Sequence, residues 1–389
     1  MASPLAGLLV VDLSRNLPGP LTARLLADLG ARVVKVEEPK EGDPVRTAPP
    51  VREGIGALAA ILLSGVESLA LDLKQPAGQE ILGRLLERAD VLIEGFRPGT
   101  LARMGFPPKE LRLRYPRLVI CSISGWGQEG PYAARAGHDL TYQAVAGALA
   151  PGAAMPTALV ADLTGGWSAV TSILAALLER ERTGRGRLID AALLDAGVHA
   201  NLVGWAAEAG GRKGIGERLP LTGALPCYNV YETSDGRLLA IAALEPHFWH
   251  RFCLAAGRKD LIRLQYLDSA RARRKVGDLV RSRTLGEWMD LAGREDVPAE
   301  PVFSAAQARE HPQVLARDLL FRGPDNLTRV AFPARFDGER PRAASAVVPG
   351  LGEQTSALLD ELGVPRETAK AAGVGRRFSW RRWLKTFLR

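Results

Sequence analysis

GLLVVDL at residues 7–13 is followed by PGP at 18–20, the helix-patterned LTARLLADL at 21–29 and, after Gly30, RVVKV at 32–36. Two short β-branched runs joined through a helix make a βαβ unit, whose strands lie parallel in one sheet. The pattern recurs. SLALDL (68–73) precedes a helical stretch at 77–88, then VLIE (91–94) and LVICSIS (118–124) follow as further strands. Strands spaced by helices predict an α/β fold with a mainly parallel sheet. Ligands of such sheets gather at the carboxyl ends of the strands. The loops after Asp12, Val36, Leu73, Ile93 and Ser124 are therefore where a site should form. Farther along, Gly165 to Glu181 has the apolar pattern of a buried helix, ended by Thr183-Gly184-Arg185-Gly186.

Beyond residue 205 the order changes. The Gly-rich stretch around 210–223 reads as a linker, assigned to 206–224. Cys227 to Tyr231 and Leu238 to Ala243 predict a hairpin across Ser234-Asp235-Gly236, a strong turn signal. Helical, Arg-rich segments then complete a smaller α+β domain over 225–320. Residues 321–374 carry Pro-rich loops and one short helix, 354–362, and 375–389 form a tail.

A chain of 389 residues is long enough for two domains. Its hydrophobic share of 47% and charged share of 24% exclude disordered and fibrous classes. The formal charge is +8, from 51 Lys plus Arg against 43 Asp plus Glu. Six of those basic groups (Arg376, Arg377, Arg381, Arg382, Lys385, Arg389) lie in the tail; without them the balance is 45 against 43. The body is nearly neutral, which argues against a nucleic-acid partner. In the tail, Phe378, Trp380, Trp383, Leu384, Phe387 and Leu388 alternate with the basic residues. Such a segment is amphipathic as a helix and fits contact with an anionic membrane surface. Cys121, Cys227 and Cys253 are odd in number and far apart, so neither a disulfide framework nor a CxxC metal site is expected. They read as small buried hydrophobes in a cytoplasmic, reducing compartment. No uninterrupted apolar run reaches membrane-spanning length, and Met-Ala-Ser-Pro does not begin a signal peptide.

Among the five histidines, His138 stands out, in GHDLTYQ (137–143), between a glycine-rich loop and an apolar helix. It either meets a ligand at the helix start, or it or Asp139 caps the helix. His199, on an apolar helix, reads as a core residue. Asp162, in LVADLTGG (159–166), sits where helix-start amides are unpaired and glycines allow close approach. It is either an N-cap or a catalytic carboxylate. Glu245, in LEPHFW (244–249), follows a buried strand; alone it would be a helix N-terminal acid. No histidine pair has metal-ligand spacing, so no metal is expected. Pro18-Gly19-Pro20 stands where a GxGxxG fingerprint would be, and neither a Walker A loop nor a GxSxG elbow occurs.

Eight ordered strings then carry a resemblance: PLAGLLVVDLSRNLPGP (4–20), LLADLGARVVKVEEP (25–39), LDLKQPAG (71–78), EGFRPGTLARMGF (94–106), SGWGQEGP (124–131), GHDLTYQAVAG (137–147), RTGRGRLIDAAL (182–193) and DGRLLAIAALEPHFW (235–249). The chain resembles the class III, or CaiB/BaiF-type, CoA-transferase family, and within it the α-methylacyl-CoA racemase branch. The resemblance implies a large Rossmann-like domain built from both chain ends, over 1–205 and 321–374, and a small domain between. It also implies an interlocked, ring-linked homodimer and an acyl-CoA substrate, with no cofactor beyond the CoA moiety. By the same resemblance Asp162 is the nucleophile of the transferases and one acid/base of the racemases. His138 is the second acid/base, and Glu245 its partner. Leu71, Asp72, Leu73, Lys74, Gly95, Phe96, Arg97, Arg103, Gly137, Asp139 and Tyr142 match positions lining CoA. Three departures stand out. Glu38 replaces an arginine near the adenosine 3′-phosphate, leaving Lys35, Lys40 or Arg46 to compensate. Leu163-Thr164 replaces phenylalanine-glycine after the aspartate. Gln354 replaces a histidine.

Overall fold

The computed structural model describes residues 3–149, 155–211 and 219–372. Six strands, β1 (Leu9–Asp12), β2 (Arg32–Glu37), β3 (Glu67–Ala70), β4 (Val91–Glu94), β5 (Val119–Ser124) and β6 (Leu188–Ala192), form one sheet. Its order is β3-β2-β1-β4-β5-β6 and every pairing is parallel. This is the doubly wound order, with the direction of winding reversing between β1 and β4. The strands read as continuous apolar runs because helices cover both faces. In β1, Val10 joins Val33, Leu26 and Ile173 on one side. Its neighbour Val11 joins Val34, Ile81 and Leu82 on the other. Each such burial contributes roughly 1.5–3 kcal/mol.

Helix α1 (Pro18–Asp28) crosses from β1 to β2 with a proline in its first turn, where the missing N–H costs nothing and φ is already helical. Gly30, at φ 101°, turns the chain back into β2. Helix α2 (Pro76–Leu86) starts the same way. Helix α3 (Asp139–Val145) lies among the loops beyond β5, and α4 (Val160–Thr183) and α5 (Leu193–Ala200) flank β6. Helix α4 is long and apolar enough to cross a bilayer by length and composition alone. Here it buries Ala169, Val170, Ile173 and Leu177 in the core beside the sheet.

Three expectations shift. The third strand ends at Ala70, so Leu71 to Lys74 leave the sheet; the Asp72 carboxylate accepts from Lys74 N and Pro76 starts α2. Helix α4 starts at Val160 rather than Gly165, which puts Asp162 inside its first turn instead of at the cap, Leu159. His199, expected in the core, is exposed on the outer face of α5.

The chain divides into two compact units. Among the described residues the first takes 3–148, 156–201 and 315–372, so segments from both parts of the chain contribute to the sheet domain. The second is built mainly on Leu202–Val314. The divisions thus fall near 201 and 314, where the sequence reading put 205 and 320. Helix α6 (Leu202–Ala209) occupies the start of the stretch read as linker, and 212–218 lie outside the described residues. So does the tail, 375–389.

The C-terminal return docks on the sheet's edge. Gln354 donates its backbone N–H to Ser68 O (3.2 Å) and its side-chain oxygen accepts from Ser68 N (2.8 Å). Thr355 Oγ1, at the start of α10 (Thr355–Glu361), accepts from Ala70 N (3.0 Å). Pairing an edge strand this way removes a template for aggregation. Gln354 therefore does structural work at the position where the resemblance had led to a histidine.

In the second unit β7 (Tyr228–Glu232) and β8 (Leu238–Ala242) pair antiparallel, and β9 (Ala299–Pro301) adds to β8. The hairpin closes where Gly236 takes φ 71°. Helices α7 (Pro246–Ala255), α8 (Ala270–Val280) and α9 (Leu285–Glu295) cover one core, in which Phe252 stacks on Trp249 and Trp288. All three cysteines are buried, and burial first of all pushes their thiols up, Cys227 to about 11.

One charged cluster sits beneath the sheet's carboxyl edge. Lys35, 1% exposed, places Nζ 3.1 Å from Asp12 Oδ2, 3.0 Å from Asp43 Oδ2 and 2.8 Å from Ser14 O. Asp12 Oδ1 accepts from Ser14 N, and Asp43 Oδ1 from Asn16 N and Val45 N. Burial works against the ammonium, but Asp12, Asp43 and Glu37 outweigh it and leave its pKa above the ordinary value. Lys35→Met strands two buried carboxylates and should lower the unfolding free energy by roughly 3–5 kcal/mol, read from urea midpoints. A loss under about 1 kcal/mol would refute that dependence.

Candidate active site

Helix α3 begins at His138, its N-cap residue, in extended conformation. His138 N donates to Thr141 Oγ1 (3.0 Å), and His138 O accepts from Thr141 N (2.8 Å). The following residue, Asp139, is 4% exposed and caps a different helix from its own. Its Oδ1 accepts from Asp162 N at 3.0 Å, in the first turn of α4, while Oδ2 accepts from Gln143 Nε2. A carboxylate at a helix N-terminus satisfies an orphan amide and complements the dipole. One buried side chain thereby ties the element carrying His138 to the element carrying Asp162.

Both residues line a single cavity of about 330 Å³ at the carboxyl edge of the sheet. Burial, and then the Asp139 carboxylate, push the Asp162 carboxyl up to about 6; His138 opposes them. Tyr142, on the same wall, is pushed up to about 12 by burial and then by Asp162 and Asp139. Its ring leaves no room for side chains opposite. A Cβ on Gly125 would fall 2.2 Å from Tyr142 Oη, and one on Gly137 2.5 Å from the ring. Trp126 meets Tyr142 and Tyr132 edge-on, with centroids 4.9 and 5.2 Å away.

A second cavity, about 80 Å³, opens at the ends of β1, β2 and β3. Leu71, Asp72, Leu73 and Lys74 line it, as does Glu38; Arg15 and Phe96 line both cavities. Gly95, Arg97, Gly137 and Tyr142 line the larger one with His138 and Asp162. Arg103 lines neither; its guanidinium donates to Thr100 Oγ1 at 2.7 Å. Asp139 stands behind the wall as the helix tie. Glu245 belongs to the second unit, exposed as the N-cap residue of α7, whereas the walls of both cavities come from the first unit. Of the three cations named as stand-ins opposite Glu38, Lys35 is committed to Asp12 and Asp43. Arg46 is committed to Glu37 and Pro349 O, and Lys40 is exposed on the loop.

The sequence reading missed Arg15, Asn16 and Arg135, three wall residues of the larger cavity. Arg15 and Asn16 lie in the loop after β1, singled out as a ligand loop, and that position was their signal. Arg135 had none; its guanidinium lies 4.1 Å over the Tyr132 ring.

The family model that matches residues 5–355 is CoA-transferase family III. The chain belongs to this family. It is 32% identical over 376 residues to the human α-methylacyl-CoA racemase, covering 93% of this chain and 94% of that protein. It is 31% identical to the acetyl-CoA:oxalate CoA-transferase of Acetobacter aceti (93% and 96% covered) and 33% to the succinate–glutarate CoA-transferase of Agrobacterium fabrum (94% and 97%). A crystal structure of a CAIB/BAIF family protein from Brucella suis superposes with a TM-score of 0.79, at 31% identity and 93% coverage of this chain and 100% of that one. This family III enzyme thus has racemases and transferases as relatives at similar identity, and the family label alone does not choose between them.

The raised carboxyl has a consequence for stability. Asp162 titrates near 3.8 in the unfolded chain and near about 6 in the folded protein, so the folded state holds the proton more tightly. Ionising it costs folding free energy as pH rises between those values, and the cost is complete above about pH 6. Asp162→Asn should therefore melt no lower than wild type at neutral pH, while turnover falls by about 10²–10⁴-fold. A variant that keeps activity, or melts well below wild type by calorimetry, would contradict the assignment.

Proposed function

We propose that this family III enzyme racemises 2-methylacyl-CoA thioesters through an enolate, with Asp162 and His138 as the acid/base pair. The observation that carries the reading is the convergence of both side chains on one cavity, with the carboxyl raised to about 6. A carboxyl raised toward neutrality can both give and take a proton there, as inversion in both directions requires of it. One removes the α-proton, leaving the electron pair delocalised into the thioester carbonyl as an enolate. The other delivers a proton to the opposite face of the same carbon. The resemblance alone supports an orienting role for Glu245, which lies exposed in the second unit. The CoA moiety threads from the larger cavity to the smaller past Arg15 and Phe96, with Arg15, Arg97 and Lys74 complementing its phosphates.

Apolar side chains left exposed on α4 (Trp167, Leu178) and α6 (Leu202, Val203, Trp205) support assembly as a homodimer. The transferase relatives support a second reading, in which the Asp162 carboxylate attacks the thioester to form a mixed acyl anhydride and expel CoA thiolate, which then attacks the aspartyl carbonyl to give an aspartyl-CoA thioester and the free acid.

Solvent deuterium decides between them. A racemase incorporates it at the α-carbon of 2-methylacyl-CoA with no acceptor acid present, and His138→Asn should slow that exchange by about 10²–10⁴-fold. Deuterium staying out, with hydroxylamine trapping an Asp162 anhydride or CoA thioester, would overturn the racemase reading. On the racemase reading, exchange in the direction that uses Asp162 as base rises with pH through about 6.

A further inference from the structure

The smaller cavity carries an inference about which carrier this enzyme accepts, resting on the acyl-CoA reading above. It lies at the carboxyl end of β2, where a doubly wound sheet reads the ribose of its nucleotide. A carboxylate at this point accepts from ribose hydroxyls, whereas an arginine accommodates a ribose phosphate. Here the residue is Glu38, directly after β2. Its Oε2 accepts from both Lys40 N and Glu41 N at 2.8 Å, and Gly42 N donates to Glu38 O at 3.0 Å. Successive backbone amides of this kind are what a phosphate oxygen takes up in a loop. In this chain the loop's own carboxylate already holds them.

Glu37 is taken up by Arg46, so the charged groups left facing the cavity are Glu38 and Asp72 with Arg15 and Lys74. Of the other cations nearby in the chain, Arg46 is held by Glu37 and Lys35 by Asp12 with Asp43, while Lys40 is exposed on the loop. We propose that Glu38 is a specificity-determining residue that removes the preference for a 3′-phosphorylated ribose. Thioesters of 3′-dephospho-CoA are then substrates on a par with CoA thioesters. The carboxylate accepts from the free ribose hydroxyl, and a phosphate placed there meets like charge, which disfavours it.

The test compares one acyl group on two carriers, CoA and 3′-dephospho-CoA, with the full-length enzyme. For wild type, kcat/KM should differ between them by less than about threefold. Glu38→Arg should shift the ratio at least about tenfold toward CoA, chiefly through KM, as a change in uniform binding does. Glu38→Gln, which keeps the size and loses the charge, should shift it the same way by less. A wild-type preference for CoA above about tenfold, unmoved in either variant, would overturn the proposal. Calorimetric titration with free CoA and free 3′-dephospho-CoA separates this from the underlying reading. Binding of CoA alone rejects only the role of Glu38, and binding of neither rejects the acyl-CoA site itself.

Discussion

The ammonium of Lys35 is the constraint on which the ligand face of this sheet rests. It lies on β2, opposite Asp12 in the parallel register, and is enclosed by Asp12, Asp43 and the carbonyl of Ser14. A charge taken fully out of water is tolerated only when partners enclose it with good geometry, and losing one of them strands the others. The two aspartates spend their remaining oxygens on Ser14 N, Asn16 N and Val45 N. One buried cluster thus sets the paths of the 13–17 and 38–46 loops together, and with them Arg15 and Glu38. An apolar cluster could fill the same volume, but it has no directed bonds with which to hold two loops in register.

A second buried carboxylate does for the chemistry what Lys35 does for the loops. Asp139 ties α3 to α4 through the amide of Asp162, and its charge helps keep the Asp162 carboxyl protonated to a higher pH. Positioning and tuning come from the same atoms. Tyr142 then closes the wall, and Gly125 and Gly137 are required because its ring occupies the space a Cβ would need. The proton affinity of Asp162 is raised at the expense of folding free energy, as is common where a site needs a group poised near neutrality.

That poise is compatible with both activities found among the relatives. A carboxylate can take a proton from carbon or attack a thioester carbonyl; what surrounds it selects the outcome. His138 lines the same cavity, and the proposed racemisation uses it as the partner in proton transfer. The smaller cavity is a separate matter of charge, and there Glu38 departs from what the resemblance led one to expect.

Read from the amino acids alone, the parallel α/β sheet was legible, because strands buried on both faces appear as unbroken β-branched runs and each crossover helix is announced by Pro or Gly at its ends. The candidate residues Asp162 and His138 were legible as positions, since short motifs conserve local spacing. Which of the candidates share a wall was not. His138 and Asp162 converge through a bond from Asp139 to a backbone amide 23 residues away. Arg15 joins the two cavities only because β1 ends beside both, while Arg103, equally basic and equally close to a motif, turns to Thr100. Likewise Lys35 and Arg46, plausible phosphate ligands by charge, proved to be enclosed by carboxylates of neighbouring strands and loops. Local order follows from backbone sterics and hydrophobic period, which act between near neighbours in the chain. Burial, charge pairing and a shifted pKa depend on what the fold brings close in space, and only the tertiary structure decided those.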